Sequence, residues 1–287
     1  MNTPSRPRAT KIICTIGPAT DTSDMLGQLI EAGANVFRLN MSHSKHDWVR
    51  EVVFRIRRKA AELEANVAIL FDLQGPSIRT GDLAEPYHLK KGDTVEIRLG
   101  TAKPELPFST TVNYDGLLQD VQAGHTMVVD NGGILMRIAE VRPDRLICDV
   151  LTEGVFGSRR HINLPGVALR LPALTEKDLA DLAVAVECET DYVAMSFVRD
   201  AAHIAQLREH IDNLGGKAQI VAKIEDQQAV RHIDDIILAA DVIMVARGDL
   251  GIEVSIEELP IIQRRIVRHC HRLGRRCIVA THMLESM

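Results

Sequence analysis

Seven short aliphatic runs, each closing on polar or charged residues, alternate with longer amphipathic stretches along most of this 287-residue chain. The runs fall at residues 11–16, 35–40, 67–72, 192–196, 219–224, 242–246 and 277–280. The stretches 24–32, 48–64, 176–187, 201–214, 227–239 and 256–273 carry apolar residues at helical spacing. Two of them have start signals, Ser23-Asp24 and Thr175-Glu176-Lys177-Asp178. Strand, helix, strand in repetition gives βαβ units and a parallel sheet. Strands of such a sheet are buried on both faces, so they read as unbroken aliphatic runs. Aromatics make up only 3% of residues while hydrophobic residues make up 46%, so the core must be built from Ala, Val, Ile and Leu.

One region breaks the rhythm. Over residues 81–160 the pattern turns to short β segments at 94–99, 126–129, 134–141 and 146–150. Turn sequences separate them: Lys91-Gly92-Asp93, Asn131-Gly132-Gly133 and Arg142-Pro143-Asp144. The expected fold is therefore α/β. It is a TIM-type (β/α)8 barrel formed by residues 1–80 and 161–287, interrupted by a small all-β domain over 81–160. Seven strands and a length short of the ~250 residues of a complete barrel predict one incomplete at its C-terminal end, truncated after strand seven. Such a barrel would leave two bare sheet edges.

Charge and cysteine usage narrow the class. A net charge of -5 suits a soluble protein and argues against nucleic acid as the main partner. Five cysteines without a CxxC pair read as reduced thiols, as expected of a cytoplasmic protein. The N-terminal segment MNTPSRPRATK is polar and basic, and no window is apolar enough for a membrane span, so neither a signal peptide nor a membrane association is expected.

In barrels of this kind, chemistry sits at the C-terminal ends of strands. The second run delivers Arg38, Asn40, Ser42 and His43 there. Arg38 can fork onto phosphate oxygens, and Asn40 and Ser42 offer hard oxygens for a monovalent cation. The third run ends at Asp72, a candidate cation ligand, with Arg79 a second phosphate-directed guanidinium beyond a Gly75-Pro76 turn. Alternation along the fifth run sends Lys223 and Glu225 to one side. A lysine and a carboxylate buried together must pair or coordinate something. Asp249, flanked by Gly248 and Gly251, would add a second carboxylate beside Glu225, the usual protein share of a Mg2+ site completed by substrate oxygens. The seventh run brings Thr281. Singly, each has a plainer reading: a polar loop, a structural ion pair, a turn aspartate, a helix cap. Together they suit an anionic phosphorylated substrate, a divalent metal and developing negative charge.

The segments Lys11–Thr20 (KIICTIGPAT), Phe37–His43 (FRLNMSH), Asp72–Arg79 (DLQGPSIR), Asn163–Gly166 (NLPG), Ala222–Glu225 (AKIE), Ala246–Gly251 (ARGDLG) and Ala280–Met287 (ATHMLESM) closely resemble the pyruvate kinase family, in order and over nearly the whole chain. The resemblance implies transfer of a phosphoryl group from phosphoenolpyruvate to ADP, giving ATP and pyruvate. The β insert would be a mobile lid. Lys223 would stabilise charge on the transferring group and the enolate, with Arg38 facing phosphate. Glu225 and Asp249 would bind Mg2+ (or Mn2+). Asn40, Ser42, Asp72 and the carbonyl of Leu73 would match a K+ site. Backbone amides of Arg247, Gly248 and Asp249 would hold the substrate carboxylate, with Arg79 also near substrate, and Thr281 would lie near the carbon that is protonated. His43, Arg79 and Arg160 would face the nucleotide.

The resemblance has departures. Ser77 stands where the family usually carries an acid or a lysine, which leaves K+ dependence open. His282 replaces the usual glutamine, and the lid is short. Family members form homo-oligomers through a C-terminal domain that is not in this sequence. Two other readings remain: a non-catalytic chain that binds metal or phosphate ligands or pairs with another chain, and a Mg2+-dependent enolate aldolase on a related barrel. His269-Cys270-His271, on a helix where adjacent residues point apart, reads as a solvated face. Basic clusters at 55–59 and 264–276 read as helix surfaces, and Gly248–Gly251 is no dinucleotide fingerprint.

Overall fold

The computed structural model describes residues 9–281. The chain opens with β1 (Ile13–Ile16), α1 (Ser23–Glu31), β2 (Val36–Asn40), α2 (His46–Glu62) and β3 (Ala68–Asp72). A β-rich insert follows: β4 (Tyr87–Leu89), β5 (Thr94–Arg98), β6 (Phe108–Thr111), α3 (Leu117–Asp120), β7 (Thr126–Val129), β8 (Ile134–Val141), β9 (Arg145–Val150), β10 (Gly154–Phe156) and β11 (Ile162–Asn163). The βα rhythm then resumes with α4 (Glu176–Glu187), β12 (Tyr192–Met195), α5 (Ala201–Asn213), β13 (Gln219–Ile224), α6 (Gln227–Arg231), α7 (Ile233–Ala239), β14 (Val242–Val245), α8 (Arg247–Glu253), α9 (Leu259–Arg272) and β15 (Arg276–Val279).

The seven expected strands form one sheet in the order β1-β2-β3-β12-β13-β14-β15, and every neighbouring pair is parallel. Among the described residues β1 and β15 do not pair with each other. The architecture is thus α/β, of the (β/α)8 type, with the sheet unclosed over these residues.

Strand alternation splits the apolar residues into two cores. One face packs Phe37, Leu39, Ile69, Phe71, Val193, Ile220 and Ile243 against the helices. The opposite face carries a smaller cluster of Leu70, Ala194, Val221, Val242 and Met244. Continuing that inner face by two residues at a time leads from Val36 to Arg38, from Leu70 to Asp72, from Ala194 to Ser196 and from Val221 to Lys223 and Glu225. The polar residues at the strand ends are therefore the top layer of the inner cluster.

Helix starts are set by short side chains. Thr175 and Asp178 form a reciprocal capping box at α4, and Asp200 and Asp226 cap α5 and α6. The stretch expected as one helix over 227–239 is two, α6 and α7. The break falls at His232, whose ring lies 3.0 Å from the carbonyl of Arg199. The stretch expected to begin at 256 begins at Leu259, with Pro260 in its first turn, where the missing amide hydrogen costs nothing.

The insert forms a six-stranded sheet, β11-β7-β8-β9-β5-β6, and a β10-β4 pair around its own core, which includes Val95, Ile97, Met127, Met136 and Phe156. Strands β4, β6, β10 and β11 are too short to show alternation, and β5 pairs with β6 in parallel. The chain enters and leaves the insert through adjacent segments. Thr80 donates to the Arg160 carbonyl (2.9 Å), and Ile162 to that of Ile78 (2.8 Å).

Candidate functional site

The ends of β2, β3, β12 and β13 bring charged groups into one buried knot. Register aligns Asn40 with Asp72, Asp72 with Ala194, and Met195 with Ala222, which sets Ser196 beside Lys223 and steps Arg38, Asp72 and Ser196 along successive strand ends. Lys223 Nζ lies 2.8 Å from Glu225 Oε1 and 3.2 Å from Asp72 Oδ1. It also donates to Ser196 Oγ at 2.7 Å. Asp72 is 2% exposed; its Oδ2 accepts from Arg38 Nε at 2.7 Å and lies 2.5 Å from Nη2. Its Oδ1 has no hydrogen bond of proper geometry despite the nearby ammonium. Arg38 also donates to Thr15 Oγ1 at the end of β1 (2.9 Å).

Burial and pairing act against each other in this knot. Burial disfavours the Lys223 charge, but Glu225 and Asp72 outweigh it, so its pKa rises and the ammonium stays charged. Burial pushes Glu225 up to about 7; Lys223 opposes this and the negative charge of Asp249 adds to it. Glu225 Oε2 is tied down by the Phe197 amide at 2.7 Å. Phe197 sits at φ 53, in the left-handed region that costs a bulky residue strain. That turn aims the amide at the carboxylate.

A second group forms where β14 and β15 end. Thr281 Oγ1 accepts from the Gly248 amide at 3.1 Å, and Arg247 donates to the carbonyls of Ala280 (2.8 Å) and Thr281 (3.1 Å). The motif after β14, whose plainer sequence reading is a turn aspartate, is the short helix α8, whose first turn holds Asp249. Asp249 joins the two groups electrostatically, since its charge acts on both Glu225 and Lys223. Thr281 itself lies at φ 73. His282 and the rest of that motif lie outside the described residues.

The remaining candidates are placed around this centre, and of them Leu73 touches it through Ser196. The Asn40 side chain accepts from the Ser42 amide (3.1 Å), and His43 is exposed on the same loop. Arg79 donates to Ser77 Oγ (3.3 Å) and to the Arg159 carbonyl (3.0 Å). Arg160 is 3.3 Å from Asp130 in the insert. Leu73 supplies its carbonyl, which accepts from Ser196 Oγ at 2.8 Å. His269 pairs with Asp234 at 2.5 Å while Cys270 is buried, so the His-Cys-His run points in different directions as expected. All five cysteines are free.

Sequence reading missed the supports. Ser196 gave no motif signal beyond its alternation with Ala194. Asp178 looked like part of a helix cap, but its Oδ1 also accepts from the Gly75 amide (2.9 Å) on the loop after β3. Lys177, paired with buried Asp181, donates to the Met41 carbonyl (2.7 Å) on the loop after β2. The start of α4 thus holds both loops. Gly75, at φ +70, leaves no room for a side chain, since an added Cβ would lie 2.9 Å from Ser196 Cβ. Adjoining the knot at Glu225, a cavity of about 280 Å³ is lined also by Asp226, Glu253, Asn163, Arg199 and Phe197.

Comparison with known proteins agrees with the geometry. The family described as pyruvate kinase, barrel domain, matches residues 7–287. Plastidial pyruvate kinase 2 of Arabidopsis thaliana is 41% identical over 287 residues, which cover 99% of this chain and 49% of that protein. Pyruvate kinase of Clostridium perfringens is 39% identical over 97% of this chain and 59% of its own length. Pyruvate kinase of Staphylococcus aureus is 37% identical over 98% and 48%. The chain spans about half the length of most of the curated relatives it matches.

Proposed function

The chain belongs to the pyruvate kinase family, and from that premise we propose that it transfers the phosphoryl group of phosphoenolpyruvate to ADP, giving ATP and pyruvate. The observation that carries this reading is the Lys223 ammonium. It is 11% exposed, held charged between two carboxylates, and shares one of them, Asp72, with the Arg38 guanidinium. Phosphoryl transfer asks little covalent chemistry of a protein and much positioning of positive charge.

In this mechanism Arg38 and Lys223 meet the anionic oxygens of the phosphoryl group. The bond from phosphorus to the enol oxygen breaks as an oxygen of the ADP terminal phosphate takes its place. Lys223 then faces the enolate oxygen left behind. The enolate carbon takes up one proton on the side where Thr281 stands, and pyruvate results. Amides at the start of α8 would receive the substrate carboxylate. His43, Arg79 and Arg160 are the cationic or polar groups proposed for the nucleotide.

Two metals are proposed with this reaction. Glu225 and Asp249 suit a divalent cation: both are hard oxygen donors, and the negative charge of Asp249 raises the cost of ionising buried Glu225, which a cation would relieve. No group of three or more His, Cys, Asp or Glu side chains that could hold a metal occurs among the described residues, so substrate oxygens would complete the shell. The buried, unpartnered Oδ1 of Asp72, with Asn40, Ser42 and the Leu73 carbonyl, suits a monovalent cation such as K+. Bound there, these ions would neutralise phosphoryl and carboxylate charge. Among the described residues no helix is long and apolar enough to cross a membrane. Because the relatives include plastidial and bacterial proteins, membership of the family assigns no compartment.

The test is pyruvate formation by the purified chain from phosphoenolpyruvate and ADP with Mg2+, read through a coupled dehydrogenase. Turnover that disappears in Lys223→Met supports the proposal. A folded chain that forms no pyruvate, or a Lys223→Met variant that retains it, refutes it.

A further inference from the structure

An ammonium has three hydrogens to donate and no acceptor. The Lys223 ammonium gives one to Ser196 Oγ at 2.7 Å and faces Glu225 Oε1 at 2.8 Å, while Asp72 Oδ1, 3.2 Å away, lies outside hydrogen-bond geometry. At most one hydrogen is left for a substrate oxygen. For Lys223 to serve both a phosphoryl group and an enolate, a contact must be released.

The three contacts are not alike. Glu225 is the carboxylate proposed for a divalent cation, and that cation would draw it from the ammonium. Asp72 is the longest contact and already answers Arg38 through its other oxygen. Ser196 has neither competitor. It is neutral, 3% exposed, and its single hydrogen is committed to the Leu73 carbonyl at 2.8 Å. With that hydrogen fixed, the hydroxyl can only accept from Lys223. Gly75 packs so closely against the Ser196 methylene that the loop after β3 closes one side of it. The next residue, Phe197, independently holds Glu225 through its amide. One turn at the end of β12 thus holds the lysine by a side chain and the glutamate by the backbone.

We propose that Ser196 is a positioning residue that keeps the Lys223 ammonium aimed when Glu225 turns from it to a cation. The hydroxyl also links Lys223 to the Leu73 carbonyl. A carbonyl oxygen has two lone pairs, so Leu73 can receive Ser196 and still face a monovalent ion. The proposal rests on the role given to Lys223 above, so one arm of its test does not depend on turnover.

That arm uses the full chain labelled with 13C at lysine Cε, the Lys223 signal being assigned by its loss in Lys223→Met. With Mg2+ and phosphoenolpyruvate added, the two Hε protons of Lys223 stay inequivalent in the unmodified chain, as expected of one held rotamer. In Ser196→Ala they merge toward a single averaged shift. In the turnover arm, Ser196→Ala lowers kcat by about tenfold to a hundredfold, the range of one hydrogen bond to a charged group, with KM for phosphoenolpyruvate within about threefold. Ser196→Cys fills the same space with a weak acceptor and behaves as alanine does, which separates positioning from packing. Hε protons that remain inequivalent in Ser196→Ala, or full turnover in Ser196→Cys, overturn the proposal. If the unmodified chain forms no pyruvate, the assignment of activity fails, and the Hε signals still decide the role of Ser196.

Discussion

Replacing Lys223 by methionine should destabilise the fold in a way that depends on pH. Methionine nearly preserves the volume but removes the cation from a site where Glu225 is 2% and Asp72 2% exposed. Asp72 keeps Arg38 as its partner at 2.5 Å, so Glu225 bears most of the loss. Breaking a buried pair by removing one partner costs about 3–5 kcal/mol, because the remaining charge is left uncompensated. Glu225 can escape that cost by taking a proton. Its pKa stands at about 7 with Lys223 present, and losing Lys223 removes the main influence holding it down. A carboxylate whose folded pKa lies above its unfolded value contributes stability at low pH and loses it as pH rises through the folded value. At pH 5 Glu225 is neutral with or without Lys223, and the penalty reduces to packing, about 1 kcal/mol. At pH 8 the penalty grows by up to about 1.4 kcal/mol, because between pH 7 and 8 the variant still binds a proton that the unmodified chain has released. Urea unfolding of both chains at the two pH values measures it. Adding Glu225→Gln to Lys223→Met should return most of the loss at pH 8, since the orphaned charge is gone. An equal penalty at pH 5 and pH 8, or a double variant no more stable than the single, would refute the reasoning.

Asp178→Ala should cost about 2–4 kcal/mol in urea unfolding, because it strands the buried amide of Gly75 and the half-buried amide of Thr175 that the carboxylate now receives at 2.9 and 2.8 Å. A loss under 1 kcal/mol would show that α4 does not anchor the loop after β3. Glu253→Gln should stabilise the chain at pH 8 and not at pH 4.5. Burial and the neighbouring Asp226 raise Glu253 to about 7, so its proton is bound by the folded state and its stabilising share fades as pH climbs from 4.5 through 7. The gain is at most about 3 kcal/mol at 1.36 kcal/mol per pKa unit; thermal melts at the two pH values with no difference between chains would refute it.

Much of this protein could be read from order along the chain. A run of Val, Ile and Leu closing on a charged residue is a strand buried on both faces wherever it occurs, because its backbone pairs and its side chains have no polar surface to offer. The seven runs became the seven parallel strands for that reason. Period-two alternation placed Lys223 and Glu225 on one side before any contact was known, and they meet at 2.8 Å. The capping box at Thr175 and Asp178 is likewise local, needing only residues three apart.

What alternation could not supply is the neighbour across the sheet. Ser196 is an ordinary serine until the register of β12 on β13 sets it against Lys223, and that register is fixed by packing along both faces. Asp178 caps its own helix in sequence and gains the Gly75 amide only when α4 docks beside β3. The break at His232 and the short helix α8 escaped periodicity because each spans less than about two turns, too few residues for a helical period to show. The sequence determined which residues could stand at the strand ends and on which face; the packed sheet decided which of them touch, because a hydrogen bond spans about 3 Å and that closeness is set by strands that lie far apart in the chain.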